Sequence, residues 1–310
     1  MFDAAISGLI HVFQIDNFLS LCGGVFMGIV FGALPGLTAT MGLALLIPFT
    51  FTMTPAAGLI MLAGIYVGAM YGDAIPAVLI NTPGTPAAIA TTFDGFPLAQ
   101  KGMAQHGLVA AAVASSFGSL VANVVLTTSA PPLAEASLKF GPPEYFWLGI
   151  FGLTIIATLS SGFIVKGLLG GAVGLILSTV GMSPLGGDVR LTFGYPELQA
   201  GIELIVALIG FFCLPEILTS IVGKRQESYT SQKVIPKLSV IGEVIASLLK
   251  KPVLMLRSSV IGTVIGFAPG AGGNIASMVS YNEAVRWDKH PEEFGKGTIK
   301  GVAASEAANS

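Results

Sequence analysis

Of 310 residues, 15 are Lys or Arg and 17 are Asp or Glu, so 10% are charged, against roughly 25% in a soluble domain. A water-facing surface cannot be built from so few charges. With 53% hydrophobic residues and a mean hydropathy of +0.81, the composition predicts an all-α, polytopic bundle of transmembrane helices in a lipid bilayer. The net charge of −2 and the lack of a basic stripe exclude nucleic acid as a partner. The 40 Gly and 18 Pro stand in apolar surroundings, which excludes collagen and disorder. Two lone cysteines, Cys22 and Cys213, offer no zinc or haem spacing and read as packing residues.

Residues 1–17 carry Asp3 and Asp16 and no Lys or Arg, unlike a cleaved signal peptide. Apolar runs then predict spans near 18–35, 37–52, 55–72, 107–130, 143–161, 163–182, 198–222 and 253–268. Two further apolar stretches, 74–93 and 271–285, are broken or short. The polar stretch 223–257 holds seven of the 15 basic residues, which predicts a cytoplasmic location for it and, counting spans backwards, an outside N-terminus. Within it, 238–249 has the apolar spacing of an interfacial helix or of a coupling helix for a partner subunit.

An internal repeat organises the chain. Gly28-Ile-Val-Phe-Gly32-Ala-Leu-Pro35-Gly36 returns as Gly262-Thr-Val-Ile-Gly266-Phe-Ala-Pro269-Gly270, with every Gly and Pro position shifted by 234 residues. Seven predicted crossings separate the two copies, so they run in opposite directions: an inverted repeat with Gly/Pro-interrupted helices, the pattern of secondary transporters. The expected organisation is a first repeat with scaffold helices over 1–222, a cytoplasmic linker with an amphipathic helix over 223–252, and the start of a second repeat over 253–310.

Irregular backbone at membrane depth is tolerated only where it is buried in protein or lines a cavity. The breaks are therefore the candidate substrate sites: Gly36, Thr38 and Thr40 at the first, where a helix N-terminus suits an anion, and Gly270, Asn274 and Ser277 at the second. The Gly-rich second break lacks a P-loop lysine and a βαβ context, which argues against a nucleotide loop.

Stretch 74–93, with three prolines and an Asn81-Thr-Pro-Gly-Thr85 centre, predicts two half-helices meeting at a polar tip. Asn81, Thr82, Thr85 and the Gly84 amide would donate to a carboxylate, and freed carbonyls would hold Na⁺. A plain loop of turn residues is the competing reading. Asp73 opens this stretch and either caps the first half-helix or lends negative charge to a cation site. Glu203 and Glu216 lie near span ends and read as interfacial, and Lys166 as snorkelling. No hydrolase triad is readable, because His11, His106 and His290 fall in loop or interfacial positions, so no enzyme is expected.

Gly32-Ala-Leu-Pro-Gly-Leu-Thr38, Tyr71-Gly-Asp-Ala-Ile-Pro76, Asn81-Thr-Pro-Gly-Thr-Pro86, Asp94-Gly-Phe-Pro97, Arg190-Leu-Thr-Phe-Gly194 and Gly266-Phe-Ala-Pro-Gly-Ala-Gly-Gly273 occur in this order. Together they resemble the large membrane subunit of tripartite tricarboxylate transporters, the TctA family. The resemblance implies a bacterial inner-membrane permease that takes up citrate or a related carboxylate. It also implies an ion gradient as the driving force, with Na⁺ or H⁺ as coupling cation and no other cofactor. The implied partners are a small membrane subunit and a periplasmic solute-binding protein. Members of the family continue with the rest of the second repeat, so a chain stopping at Ala307-Ala-Asn-Ser310 reads as a fragment or truncated product. A channel or non-transporting membrane scaffold is the reading from a different class.

Overall fold

The computed structural model describes residues 2–34, 37–137, 164–183, 187–202, 237–267 and 272–309, with a few single residues or pairs between 141 and 150 and between 206 and 218. Most of the expected spans 143–161 and 198–222, including Glu203, Glu216 and Cys213, lies outside the described residues, as do Pro35-Gly36 and Pro269-Gly270. The described chain is helical: α1 (Phe2–Val12), α2 (Ile15–Ala33), α3 (Ala39–Thr50), α4 (Pro55–Gly72), α5 (Ala74–Ile80), α6 (Ile89–Gln100), α7 (Ala104–Ser137) and α8 (Ile164–Ser178). A two-residue antiparallel pair, Gly181–Met182 with Val189–Arg190, follows. The chain resumes as α9 (Leu238–Leu249), α10 (Pro252–Gly266), α11 (Gly272–Trp287) and α12 (Ile299–Asn309).

Among the described residues three helical segments are long and apolar enough to cross a bilayer: 15–33, 55–80 and 104–135. Helices over the expected spans 37–52 and 253–268 have 12 and 15 residues. At 1.5 Å per residue they reach about 18–23 Å, short of the ~30 Å hydrocarbon thickness. Helix α3 starts at Ala39, just after the first Pro-Gly pair in the sequence, and α10 ends at Gly266, just before the second. Thr54 caps α4, accepting from the Ala57 amide at 3.4 Å ahead of Pro55.

The closest packing is between α2 and α4, and glycine makes it. A Cβ added to Gly24, Gly28 or Gly32 would fall on the carbonyl oxygen of Met61, Ile65 or Ala69. Facing them, a Cβ on Gly72 would stand 2.7 Å from the Ile29 carbonyl oxygen, and one on Gly68 would fall on that of Val25. Four-residue spacing puts these glycines on one stripe of each helix, so the two backbones touch directly. The same device seats α12. A Cβ on Gly118 of α7 would collide with the Ala307 carbonyl oxygen, and one on Gly262 of α10 would stand 2.6 Å from that of Ala308. Helix α12 is built from Gly301, Ala303, Ala304, Ser305, Ala307 and Ala308, and it is buried from Lys300 to Asn309. Only small side chains let a helix be enclosed on every side at backbone distance.

The expected helix over 238–249 forms as α9 and lays Val240, Val244 and Leu248 on the core cluster that includes Ala110, Ala114 and Val302. Its start is fixed to the start of α7 by a two-way amide pair: Gln105 Nε2 donates to the Lys237 carbonyl at 2.8 Å, and the Lys237 amide donates to Gln105 Oε1 at 2.9 Å.

The broken helix over 74–93 is present, but its return takes a different course from two arms meeting at a tip. Helix α4 runs on through Asp73 into α5 and stops at Asn81, whose left-handed conformation (φ 54°) turns the chain. Residues 82–85 then run back beside α5: the Thr82 amide donates to the Pro76 carbonyl at 3.2 Å and the Gly84 amide to the Asp73 carbonyl at 3.3 Å. After a 3-10 turn at Pro86–Ala88, α6 passes Val78 at Gly95 and again at Ala99. In an antiparallel hairpin the sequence separation of facing residues shrinks toward the tip. Here it grows from Asp73–Thr85 to Val78–Gly95, so α5 and α6 run in the same sense.

Candidate functional site

The return strand brings Thr85 onto Asp73. The Thr85 hydroxyl donates to Asp73 Oδ2 at 2.5 Å, and Asn309 Nδ2, from the end of α12, lies 3.4 Å from the same oxygen. Asp73 is 0% exposed, and its Oδ1 has no hydrogen-bond partner among the described residues. Asn309 Oδ1 is likewise buried and unpartnered. A Cβ on Gly84 would meet the Gly32 carbonyl oxygen and stand 2.7 Å from the Asp73 Cα, and one on Gly273 would meet Asn309 Oδ1. Gly32 closes the helix before the first Pro-Gly break and Gly273 opens the helix after the second. The return segment and the end of α2 therefore meet at Asp73, while the start of α11 packs on Asn309, whose amide reaches the same carboxylate.

A second polar cluster adjoins it one turn back along α12. Thr91 of α6 donates to Glu306 Oε1 and pairs with the Ser305 hydroxyl at 2.9 Å. Glu306 is 0% exposed and lies one turn before Asn309, whose amide reaches Asp73. The described partners of Asp73 are a hydroxyl and a carboxamide, neither of which carries charge. Two carboxylates buried together are costly unless a positive charge joins them. Oxygen donors of this kind suit a hard cation or a proton. Among the described residues no group of three or more His, Cys, Asp or Glu forms a metal site.

The sequence-predicted residues divide. Asp73, Gly84 and Thr85 come together at the centre, buried. Asn81 is exposed at the turn and Thr82 is half-buried, its hydroxyl donating to the Ile80 carbonyl at 3.2 Å. Thr38 caps α3, accepting from the Met41 amide at 3.3 Å, while Thr40 faces outward. Ser277 is buried with its hydroxyl 3.3 Å from the Asn274 carbonyl, and Asn274 itself is exposed. Gly36 and Gly270 lie outside the described residues. Asp73 does not cap α5 with its side chain, which removes the capping alternative.

Sequence reasoning missed Thr91, Ser305, Glu306 and Asn309. The available signal was an acid and an amide in the stretch 303–309, where every other residue is Ala or Ser, a composition that suits a tightly enclosed helix. It also left Asp94 without a role. Asp94 Oδ1 accepts from the Gly297 and Thr298 amides at 2.8 and 2.9 Å, and Oδ2 accepts from the Tyr281 hydroxyl at 2.9 Å. That carboxylate ties α6 to α11 and to the start of α12, and so holds Asn309 and Glu306 in register with Asp73.

A bundle of apolar helices around a buried acidic centre, three of them long and apolar enough to cross a bilayer, defines a membrane protein. The sequence description of the tripartite tricarboxylate transporter TctA family matches residues 18–310, and the chain belongs to that family. It is 41% identical over 286 residues to an uncharacterized 52.8 kDa protein in the TAR-I ttuC' 3' region of Agrobacterium vitis, across 92% of this chain and 56% of that protein. An uncharacterized protein in the TAR-II ttuC' 3' region of the same organism is 46% identical over 48 residues, 16% of this chain and 20% of its own. The chain thus spans little more than half the length of the longer of these relatives. No solved structure matches.

Proposed function

We propose that the chain is the permease part of an ion-gradient-driven, binding-protein-dependent transporter for citrate, tricarboxylates or related carboxylates. Its place is the bacterial inner membrane, with the 223–252 loop cytoplasmic and the N-terminus outside. A small membrane subunit and a periplasmic solute-binding protein complete it. The observation that carries the reading is the buried Asp73 carboxylate, reached by Thr85 of the return segment and by Asn309 at the end of α12. Asp73 with Asn309 holds the coupling cation, Na⁺ or H⁺. The carboxylate substrate takes the helix starts at Thr38 and Gly272, whose positive dipole ends suit an anion. A cation on Asp73 offsets the repulsion that a multiply charged anion meets there, and this couples the two solutes.

Uptake of radiolabelled citrate by membrane vesicles carrying the full transporter tests this. Accumulation that follows a Na⁺ or H⁺ gradient in the parent and is lost in Asp73→Asn, with the protein still in the membrane, is the expected result. Accumulation indifferent to both gradients rejects coupling, and unchanged gradient-driven uptake by Asp73→Asn removes this carboxylate from the cation site.

A further inference from the structure

A second polar feature lies away from the Asp73 centre, at the end of α10 nearest α9. A cavity of about 420 Å³ opens there. Its wall carries five cations, Lys250, Lys251, Arg257, Lys289 and Lys300, against the single carboxylate of Asp288. Lys300 is already satisfied, bonding Asp288 and Glu293 at 2.9 Å each. Arg257 Nε is buried with no hydrogen-bond partner among the described residues. Burial and the neighbouring Lys300 ammonium push the Lys251 ammonium down from its ordinary value, as expected where positive charges crowd without enough anion.

The surroundings say where this cavity sits. Val253, Leu256, Val260 and Val264 form an exposed apolar stripe along α10, running away from the cavity. Leu238, Ile241 and Leu249 of α9 are exposed beside it, and Trp287 lines the cavity while 68% exposed. An apolar helical stripe meeting a belt of Lys, Arg and Trp marks the boundary between hydrocarbon and headgroups. Basic pockets between helices at that depth match anionic headgroups.

We propose that this cavity binds a phosphate-bearing anion, with Arg257, Lys251, Lys250 and Lys289 as its ligands and Trp287 at the lipid boundary. An anionic phospholipid headgroup and a free phosphate share this chemistry, and the geometry of a planar guanidinium beside ammonium groups serves either. The site is independent of the transport reading.

The test is thermal unfolding of the purified full chain in a zwitterionic detergent, titrated separately with short-chain phosphatidylglycerol, short-chain phosphatidylcholine and inorganic phosphate. Phosphatidylglycerol raises Tm saturably and phosphatidylcholine does not. A matching saturable rise with inorganic phosphate assigns the anion to solution, and no rise with it assigns it to lipid; both support the site. Arg257→Gln with Lys251→Gln weakens the midpoint about tenfold, the loss expected for charge-assisted hydrogen bonds. Should that variant fail to fold, Lys250→Gln with Lys289→Gln, both nearer the rim, carries the same test. The control Lys237→Gln, outside the cavity, keeps the parent midpoint. Absence of any anion-dependent rise, or an unchanged midpoint in the cavity variants, overturns the proposal.

Discussion

Asp73 and Asp94 are both 0% exposed, yet they are placed for opposite purposes. Asp94 receives three hydrogen bonds, from Tyr281 and from the Gly297 and Thr298 amides, and is therefore a joint. Asp73 receives its bonds on one oxygen, and the other has no hydrogen-bond partner among the described residues. The two should respond differently to substitution. Asp94→Ala strands a buried hydroxyl and two amides at about 1–3 kcal/mol for each group left unsatisfied, and a clear drop in Tm of the purified protein should follow. Asp73→Asn keeps shape while removing a buried charge, and its Tm should equal or exceed the parent's even as gradient-driven uptake disappears. Thr85→Val, which deletes the hydroxyl that Asp73 accepts from, should lower uptake, with Thr85→Ser restoring most of it. Equal thermal losses for the two aspartate variants would contradict this division. Asp73 and Thr85 were legible in the sequence because they flank prolines and a Pro-Gly pair inside an apolar stretch. Glu306 and Asn309 were not, since their significance comes from contacts some 215 and 236 residues away.

At the scale of elements, the α2–α4 seam is the most exacting. Gly28→Ala or Gly32→Ala places a methyl on a backbone carbonyl that has no side-chain freedom with which to yield. Separating two packed helices by even part of a methyl diameter forfeits contacts along the whole seam, a cost of about 1–3 kcal/mol or more. Gly23, one position from Gly24 and on another face, has nothing within 4 Å of a would-be Cβ, so Gly23→Ala should be neutral or slightly stabilising through helix propensity. Thermal unfolding of the three variants in detergent checks the contrast, and comparable shifts for Gly23→Ala and Gly28→Ala would contradict the packing account. The four-residue Gly spacing was readable as close packing. The course of the return strand was not, because a Pro-rich break tells where a helix must stop but leaves open which way the next one sets out. That choice was made by Asp73, which draws Thr85 back to the start of α5.

Across the whole molecule, the loop between α11 and α12 gives stability a pH dependence at the polar end. Burial alone would push the Asp288 carboxyl up, but the His290 amide and the Lys300 ammonium outweigh it and hold that carboxyl below its ordinary range. The hydrogen bond from Lys300 does the same to Glu293. Carboxyls depressed in the folded state add stability that is fully present above their unfolded values, about 3.9 and 4.3, and is lost as pH falls through the folded ones. Lys300→Met removes both bonds. The Tm gap between parent and variant should thus hold steady from pH 7 to about pH 5 and close as the solution is acidified below about pH 4. A gap unchanged at low pH would contradict the linkage. At this scale composition already declared an apolar helical protein, and the repeated Gly/Pro segments coincide with the ends of α2 and α10. It did not foretell that residues 299–309 pass into the interior against α7, because a stretch of alanines and serines carries little hydropathy and is drawn inward by fit.

The glycine seam has one mechanical consequence. Where two helices meet main chain to main chain, no side chains lie between them that could swing into new rotamers, so the joint has no soft coordinate along which to slide. Helices α2 and α4 must travel as a single girder. Any rearrangement within the bundle has to take place along boundaries padded with larger side chains, where surfaces can repack without tearing.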